Sequence, residues 1–435
     1  MELFRAAVFH TPDNPFHLPA GDPREMICHE DGGLLVRDGR VVACGPYSVI
    51  RDANPGAATV DWRGGIVLPG LVDAHVHFPQ VRVIGALGRT LLDWLEEVAL
   101  PEESRMADLA YAEDTARLFL HALSSHGTTT ALVFGAHFAG ATAVLLEAAD
   151  RSGLRIASGL VLSDRQLRPD LHTTPERAYR ESKELIKRYH KRGRLFYAVT
   201  PRFAYSTTES MLEVCQQLMT EHADVRLQTH INENPTEVAA LARLFPWAAD
   251  YLAIYERYQL SGNRSVMAHN VHATPSEIDR LAAAGTAVAH CPGSNAALGS
   301  GSFPLRRHVH AGVTCALGTD VGGGVGFGIL KEGLQAYLMQ RLAPDPQGLN
   351  AARLLYMATR AGAEALGLES EIGDFKPGKA ADFVYLRPAE GSVLDAALRR
   401  APDPSQALAA VFVLAGPESI REVRVEGDIV FTAGG

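Results

Sequence analysis

Short apolar runs alternate with longer amphipathic stretches along most of the chain after residue 65. A short apolar run bounded by turn residues is typical of a buried strand, and apolar residues three and four apart are typical of a helix. The pattern predicts eight strands, at residues 66–71, 129–134, 155–162, 195–200, 225–229, 265–268, 287–290 and 314–317. Helices are predicted between them, among others at residues 106–125, 142–151, 175–191, 208–222 and 275–284. Gly127, Gly153, Gly193 and Gly285 follow four of these helices, as C-terminal caps do.

Strands that alternate with helices favour a parallel sheet, and eight of them favour a closed (β/α)8 TIM barrel. A doubly wound open sheet is the alternative architecture. That fold commonly has a G-x-G-x-x-G turn after its first strand, and no such turn follows residues 66–71. We therefore expect an α/β chain whose barrel occupies residues 66–367.

The N-terminal part of the chain, residues 1–65, has a different pattern of short strands and turns. No helical period of useful length precedes Val60. Residues 32–42 predict a hairpin with Asp38 and Gly39 at its tip, because this dipeptide favours the tight turn that joins two antiparallel strands.

The C-terminal part, residues 368–435, returns to the same pattern. The helices are predicted to end near Leu366, residues 372–386 are turn-rich and then strand-like, and a last strand pair flanks residues 426–428. We expect this part and residues 1–65 to pack together as a small discontinuous β-sandwich beside the barrel.

Composition places the chain among soluble globular proteins. It has 435 residues, of which 47% are hydrophobic and 21% charged, and its formal net charge of −9 argues against binding to nucleic acid or to acidic membranes. Residues 1–14 lack the pattern of a secretory signal, and no apolar run is long enough to cross a bilayer. Five cysteines without a C-x-x-C spacing predict a reducing, cytoplasmic compartment.

Histidines and an aspartate follow the predicted strands where a barrel enzyme has its active site. His75 and His77 are one residue apart, so in a strand they project to the same side. His230, His269 and Asp320 each follow a further apolar run. Any one of these residues alone is more often a hydrogen-bonded core residue, but five at four strand ends favour a metal site. Nitrogen and oxygen ligands of this kind suit Zn²⁺, and Fe²⁺ accepts similar ligands.

Two further side chains are candidates for chemistry beside the metal. Glu233 lies three residues after His230, close enough to move protons without binding the metal. Its alternative interpretation is a first-turn helix glutamate. Arg202 follows the fourth predicted strand and has a planar donor fork suited to a carbonyl or anionic oxygen. Binuclear cyclic-amide hydrolases have a carbamylated lysine at that strand end, and its absence here favours a single metal.

Several motifs together resemble one enzyme superfamily. They are Pro-Gly-Leu-Val-Asp-Ala-His-Val-His at 69–77, His-Phe-Pro-Gln at 77–80, Leu-Leu-Asp-Trp-Leu at 91–95, Thr-Pro-Arg-Phe at 200–203, His-Cys-Pro-Gly-Ser-Asn at 290–295 and Leu-Gly-Thr-Asp-Val-Gly-Gly at 317–323. With these motifs the chain resembles the metal-dependent amidohydrolase superfamily, and the guanine deaminases within it.

This resemblance implies hydrolytic deamination of guanine to xanthine and ammonia, with one Zn²⁺ per chain, in a homodimer. The implied metal ligands are His75, His77, His230 and Asp320. Glu233 would transfer protons, while His269 and Asp320 would orient the attacking water and stabilise the addition product. Gln80 and Arg202 would bind the purine edge, and Phe203 would supply packing or a backbone contact. The alternatives are a mononuclear aminohydrolase acting on a pterin, an s-triazine or 8-oxoguanine, and a catalytically inactive barrel scaffold.

Overall fold

The computed structural model describes residues 1–19 and 21–434. Its strands are β1 (Glu2–His10), β2 (Ile27–Arg37), β3 (Arg40–Pro46), β4 (Ala58–Pro69), β5 (Leu71–His77), β6 (Thr128–Phe134), β7 (Arg155–Gly159), β8 (Val161–Leu162), β9 (Leu195–Pro201), β10 (Arg226–Ile231), β11 (Ser265–His269), β12 (Ala287–His290), β13 (Cys315–Leu317), β14 (Phe383–Leu386), β15 (Ile420–Val425) and β16 (Asp428–Thr432).

The α-helices lie mostly between the barrel strands. They are α1 (Tyr47–Ala53), α2 (Leu91–Trp94), α3 (Leu100–Ser104), α4 (Leu109–Ser125), α5 (Ala139–Ser152), α6 (Pro175–Tyr189), α7 (Glu209–Glu221), α8 (Pro235–Leu244), α9 (Tyr251–Arg257), α10 (Pro275–Ala284), α11 (Pro292–Ala297), α12 (Leu305–Ala311), α13 (Ile329–Leu342), α14 (Ala351–Ala358), α15 (Arg360–Ala365), α16 (Val393–Arg400) and α17 (Pro404–Leu414). One π-helical turn, Leu95–Ala99, joins α2 to α3.

The barrel is a parallel sheet in the order β5-β6-β7-β9-β10-β11-β12-β13, with β8 paired to β9 after β7. Hydrogen bonds between the segment after β13 and β5 bring the two ends of the sheet together. The Asp320 amide donates to the His75 carbonyl over 2.8 Å, and the Thr319 amide donates to the Asp73 carboxylate over 3.0 Å. The predicted eight-stranded barrel is confirmed, because each predicted strand after the first overlaps an observed one.

The first predicted strand, residues 66–71, is divided between two sheets. Residues up to Pro69 belong to β4, which pairs with β1 and β14, and the barrel strand β5 begins only at Leu71. Gly70 separates the two strands and lies against Thr129, where an added Cβ would come within 2.1 Å of the Thr129 hydroxyl oxygen. The apolar run is continuous because residues on both sides of Gly70 are buried.

The second sheet contains strands from both ends of the chain, in the order β16-β15-β14-β4-β1-β2-β3. The hairpin predicted for residues 32–42 is present as β2 and β3, and its turn residues Asp38 and Gly39 both have positive φ. The last strand pair is β15 and β16. The discontinuous β unit is thus confirmed, while its boundaries at residues 65 and 368 stay a prediction.

Three helices contradict the sequence analysis. α1 precedes Val60, and α16 and α17 follow Leu366, where the helices were predicted to end. α17 contains the run Ala-Val-Phe-Val-Leu, which reads as a strand because its apolar residues are consecutive. Tertiary packing decides the outcome: Phe412 is buried against Gly333 of α13, where an added Cβ would lie 2.6 Å from its ring. Among the described residues, no helix is both long and apolar enough to span a bilayer.

Candidate active site

The five predicted metal-site residues converge at the C-terminal ends of the barrel strands. His75 and His77 lie in β5, His230 in β10 and His269 at the end of β11, while Asp320 follows β13. All five side chains are buried. The C-terminal ends of the parallel strands all lie at one end of the barrel, so residues far apart in sequence meet there.

Four of these side chains have donor atoms in contact with one another, with His77 Nε2 close to each of the other three. The Nε2 atoms of His75 and His77 are 3.2 Å apart, and those of His77 and His230 are also 3.2 Å apart. One oxygen of Asp320, Oδ1, lies 3.1 Å from His75 Nε2 and 3.2 Å from His77 Nε2. Tetrahedral zinc with ligand bonds of about 2.0–2.2 Å separates its ligand atoms by about 3.3–3.5 Å. The donor set therefore fits one divalent cation.

The fifth residue, His269, lies slightly farther out. Its Nε2 is 3.8 Å from Asp320 Oδ2 and 3.5 Å from Glu233 Oε2. Donor atoms of His75, His230, His269 and Asp320 all lie within 4.8 Å of one another, so His269 is also within reach of the cation. The set that includes His77 is the tighter of the two, with contacts of 3.1–3.2 Å.

Neighbouring groups turn two of the histidine rings toward the centre. His230 Nδ1 lies 2.6 Å from the backbone carbonyl of Arg202, and a carbonyl only accepts, so Nδ1 carries the proton and Nε2 offers its lone pair. His269 Nδ1 lies 3.0 Å from Asn295 Oδ1 and is held in the same way. Both tautomers leave Nε2 free for a metal or a water.

The protein environment favours the neutral form of His75 and His230 and the ionised form of Asp320. Burial lowers the pKa of His75 to about 4 and takes that of His230 well below its usual value, and neighbouring histidines lower it further. Burial acts to raise the pKa of Asp320, but its close contacts with His75 and His77 outweigh burial and leave that pKa well below the usual range. Neutral imidazoles and an ionised carboxylate are the forms that bind zinc.

Glu233 lies beside this cluster, outside the following helix. Asn234 is the N-cap of α8 and Glu237 completes the capping box, so the first-turn glutamate is Glu237 and the helix interpretation of Glu233 is wrong. Glu233 is 3% exposed, and its Oε1 has no hydrogen-bond partner among the described residues. Burial and then the charge of Asp320 raise the pKa of Glu233 well above its usual value.

An apolar wall closes the cavity in front of these groups. It consists of Leu91, Trp94, Leu95, Phe203 and Leu298, which pack as one buried cluster. The cavity also borders His77, His230, Glu233 and Asp320, and its volume is about 20 Å³. A flat aromatic ring suits such a wall.

Gln80 and Arg202 line the same cavity and share a partner that the sequence analysis missed. That partner is Glu103, a buried residue of α3, to which His137 is also bonded. His137 follows β6 by three residues, so the rule that found the metal site also applies to it. Glu103 has no such signal, because it lies in a helix that precedes α4 and its partners lie elsewhere in the chain.

Left-handed backbone conformations mark the same barrel mouth. His269 has φ of 72°, Asn232 of 49° and Asp320 of 48°, values that non-glycine residues seldom adopt. Such strain is commonly found at functional sites, where the surrounding structure enforces it. Here it lies at or beside three of the strand ends that carry the candidate residues.

The sequence of the chain is similar to those of known protein families and relatives. The amidohydrolase family matches residues 66–430, and a bacterial imidazolonepropionase-like composite domain matches residues 32–57. A probable guanine deaminase of Deinococcus radiodurans is 53% identical over 437 residues, covering 99% of each chain.

Solved structures give the same likeness in three dimensions. The structure of Escherichia coli guanine deaminase superposes with a TM-score of 0.94 at 36% identity and full coverage of both chains. An adenosine deaminase from Xanthomonas campestris with bound zinc has a TM-score of 0.82 at 26% identity, covering 98% of this chain and 92% of that one.

Proposed function

The chain belongs to the amidohydrolase family, and on that premise we propose that it deaminates guanine to xanthine and ammonia. One observation carries the proposal. A single cavity with an apolar wall is bordered by His77, His230 and Asp320 of the donor cluster, by Glu233, and by Gln80 and Arg202. This arrangement combines a metal site, a proton carrier and polar groups for a purine edge.

One Zn²⁺ ion per chain is proposed, held by His75, His77, His230 and Asp320. When bound, zinc lowers the pKa of a water from about 15.7 to about 7, which supplies a nucleophile at neutral pH. Removal of metal with a chelator should abolish activity, and added Zn²⁺ should restore it. Elemental analysis of the active protein should find one equivalent, and two tightly bound equivalents would contradict the mononuclear site.

Glu233 is proposed to move the protons of the reaction. It takes a proton from the attacking water as oxygen adds to C2 of guanine, and it delivers that proton to ring N3. Glu233 then takes the remaining proton from the oxygen added to C2 and passes it to the amino nitrogen, which leaves as ammonia as its bond to C2 breaks and the C2 carbonyl of xanthine forms. Its raised pKa makes Glu233 a stronger proton acceptor than an ordinary glutamate.

His269 and Asp320 are proposed to orient the attacking water. His269 Nε2 has a free lone pair because Nδ1 donates to Asn295, so it accepts a hydrogen bond from the water. Asp320 Oδ2 lies 3.8 Å and Glu233 Oε2 lies 3.5 Å from that nitrogen. Together these groups fix the direction of attack and stabilise the addition product.

Gln80, Arg202 and Phe203 are proposed to bind the purine. Arg202 donates to the exocyclic oxygen at C6, which adenine lacks, and Gln80 contacts the neighbouring edge of the ring. Phe203 packs against the ring, since it belongs to the apolar wall. Donors aimed at a carbonyl reject an amino group, because both partners are then left unpaired.

A reducing, cytoplasmic location and a homodimer are also proposed. The five cysteines are unpaired. Leu338 and Leu342, one turn apart on α13, are exposed by 44% and 79% and offer an apolar surface for a second copy. Light scattering of the purified protein measures the mass in solution, and a monomeric mass would contradict the dimer.

The direct test follows guanine absorbance together with ammonia release. Guanine should be converted to xanthine with equimolar ammonia, while adenine, cytosine and 8-oxoguanine react much more slowly. A pterin and an s-triazine are included because other aminohydrolases act on such rings. Faster turnover of any of these compounds than of guanine would overturn the proposal.

A further inference from the structure

Glu103 is a buried carboxylate that accepts hydrogen bonds from three side chains. Gln80 Nε2 donates to Oε1 over 2.6 Å, Arg202 Nη1 donates to Oε2 over 2.6 Å, and His137 Nε2 lies 3.0 Å from Oε2. Its side chain is 2% exposed. Both of its oxygens are therefore used, and each binds a residue that lines the cavity or lies next to one.

The carboxylate is ionised in this setting. Burial acts to raise its pKa, but the charge of Arg202, the hydrogen bond from His137 and that from Gln80 outweigh burial and hold the pKa well below its usual range. Arg202 is as deeply buried as Glu103, and the two opposite charges balance each other. Removing either charge leaves the other buried without a counter-charge, which is costly.

A carboxylate has acceptors only, and that fixes the orientation of its partners. Gln80 must present its NH₂ group to Glu103, and its Oε1 accepts the Gly322 amide over 2.8 Å, so the side-chain amide has one orientation. Arg202 donates through Nη1 to Glu103, and His137 Nε2, which donates to the same carboxylate, lies 3.3 Å from that Nη1. Within residues 1–19 and 21–434 no other side-chain hydrogen bond of Arg202 is formed, so Nε and Nη2 remain for a ligand.

We propose that Glu103 is a positioning residue that fixes the donor groups of Gln80 and Arg202 and thereby selects a purine with an oxygen, rather than an amino group, at C6. The inference rests on the proposed function and adds how its cavity selects the substrate. Glu103 does not touch the reacting atoms. It acts through the two side chains, and its own helix run adds Leu91, Trp94 and Leu95 to the cavity wall.

The substitution Glu103→Gln distinguishes the effect of the acceptor oxygens of Glu103 from the effect of its side-chain size. Glutamine keeps the size of the side chain but has one acceptor oxygen and one NH₂ group. Its NH₂ group therefore lies against a donor of either Gln80 or Arg202, and that hydrogen bond is lost. Glu102→Gln is the matched control. Glu102 is the preceding residue of α3 and is also buried, but it accepts from the Tyr111 hydroxyl, which does not line the cavity.

Two measurements are made on the metal-loaded proteins. The first is kcat and KM for guanine. The second is calorimetric binding of hypoxanthine and adenine, which carry oxygen and nitrogen at C6 and have no amino group at C2 to be hydrolysed. The second measurement needs no turnover, so it tests Glu103 even if wild-type protein does not deaminate guanine, a result that would refute only the proposed function.

For Glu103→Gln we expect KM for guanine and Kd for hypoxanthine to rise about 10- to 100-fold, the loss of one or two charge-assisted hydrogen bonds. The Kd for adenine should change less than about threefold, kcat should fall less than KM rises, and metal content should stay at one equivalent. Glu102→Gln should stay within about twofold of wild type. Glu103→Asp, which keeps an acceptor-only group, should recover most of the preference for hypoxanthine.

Three results would overturn the proposal. They are unchanged hypoxanthine binding in Glu103→Gln, an equal loss for hypoxanthine and adenine, or loss of the metal. If Glu103→Gln does not fold, Glu103→Asp decides: a preference for hypoxanthine equal to that of wild type with weaker affinity supports positioning, and a lost preference refutes it. A wild-type protein that binds neither purine also refutes it.

Discussion

Glu233 and Asp320 are buried carboxylates of the same cavity, but their surroundings shift their pKa values in opposite directions. Burial and the charge of Asp320 raise the pKa of Glu233. Burial also acts to raise the pKa of Asp320, yet its close contacts with His75 and His77 outweigh burial and lower that pKa. Two carboxylates with pKa values driven apart commonly divide the work, one holding or moving a proton and the other staying ionised.

Glu233→Gln tests this division. The substitution keeps the size of the side chain and removes its titratable group, so turnover should fall by about 10²–10⁴-fold or more, since the group serves more than one step. Metal content and KM should stay near wild type. The measurements are kcat and elemental analysis, and a variant that loses its metal would show that Glu233 belongs to the ligand set.

Arg202→Ala tests purine recognition. It removes the donor for the C6 oxygen and leaves Glu103 buried without its counter-charge, so kcat/KM for guanine should fall at least 10- to 100-fold. Arg202→Lys should recover only part of this loss, because an ammonium cannot reproduce the planar fork. A kcat/KM for Arg202→Ala within about twofold of wild type would contradict a role in reading the purine.

The metal donors could be predicted from sequence because a local signal and a fold rule coincide. Each lies at or just after a short apolar strand, and parallel barrel strands end at one mouth. Glu103 could not be predicted, because its hydrogen bonds reach Arg202, 99 positions away, from a short helix. Which carboxylate of α3 faces the cavity is decided by packing, and the adjacent Glu102 turns toward Tyr111 instead.

At the scale of elements, two helices begin with the same device beside the active site. α8 has a capping box of Asn234 and Glu237, and α10 has one of Thr274 and Glu277. Glu233 is the residue directly before the first box, so the cap also anchors the backbone that carries it. The second box reaches the residue before Glu233, since Asn232 Nδ2 donates to Glu277 Oε1 over 3.1 Å, but that bond does not use Thr274.

Asn234→Ala and Thr274→Ala form a matched pair. Loss of an N-cap costs about 0.5–2 kcal/mol, so both variants should lower the midpoint of thermal unfolding by roughly the same few degrees. Only Asn234→Ala should also lower kcat for guanine, because Glu233 loses its fixed backbone. Equal kcat values in the two variants would show that the cap does not position Glu233.

The elements that sequence predicts well are those with a clear period and a boundary residue. The helices α4, α5, α6, α7 and α10 were found within a few residues, and Gly153 and Gly285 are left-handed C-caps as expected. α17 was missed because its apolar residues are consecutive, and α1 because it has only seven residues. In both cases tertiary packing, which a local pattern does not contain, sets the structure.

At the scale of the whole molecule, buried and partly buried ion pairs join the barrel to the second sheet. Arg155, at the start of β7, donates through Nη2 to Asp382 over 3.3 Å and to Glu426 over 3.2 Å. The side chains of Arg155 and Asp382 are exposed by only 7% and 2%. Asp382 precedes β14 and Glu426 lies in the turn before β16, so one arginine binds two segments of the C-terminal sheet.

Arg155→Met should destabilise the protein by about 3–5 kcal/mol, because it leaves Asp382 buried without its counter-charge. Arg155→Met with Asp382→Asn should lose less stability than the single variant, since the uncompensated charge is gone.

Arg63→Met is the control: its partner Asp61 and Arg63 itself are exposed by 50% and 60%, so the change should stay below about 1 kcal/mol. Urea unfolding of the three proteins gives the comparison. Because Arg155 begins its strand at the end opposite the metal site, kcat/KM should be unchanged in each folded variant. A double variant less stable than Arg155→Met would show that the pair's geometry, rather than the unpaired charge, holds the two sheets together.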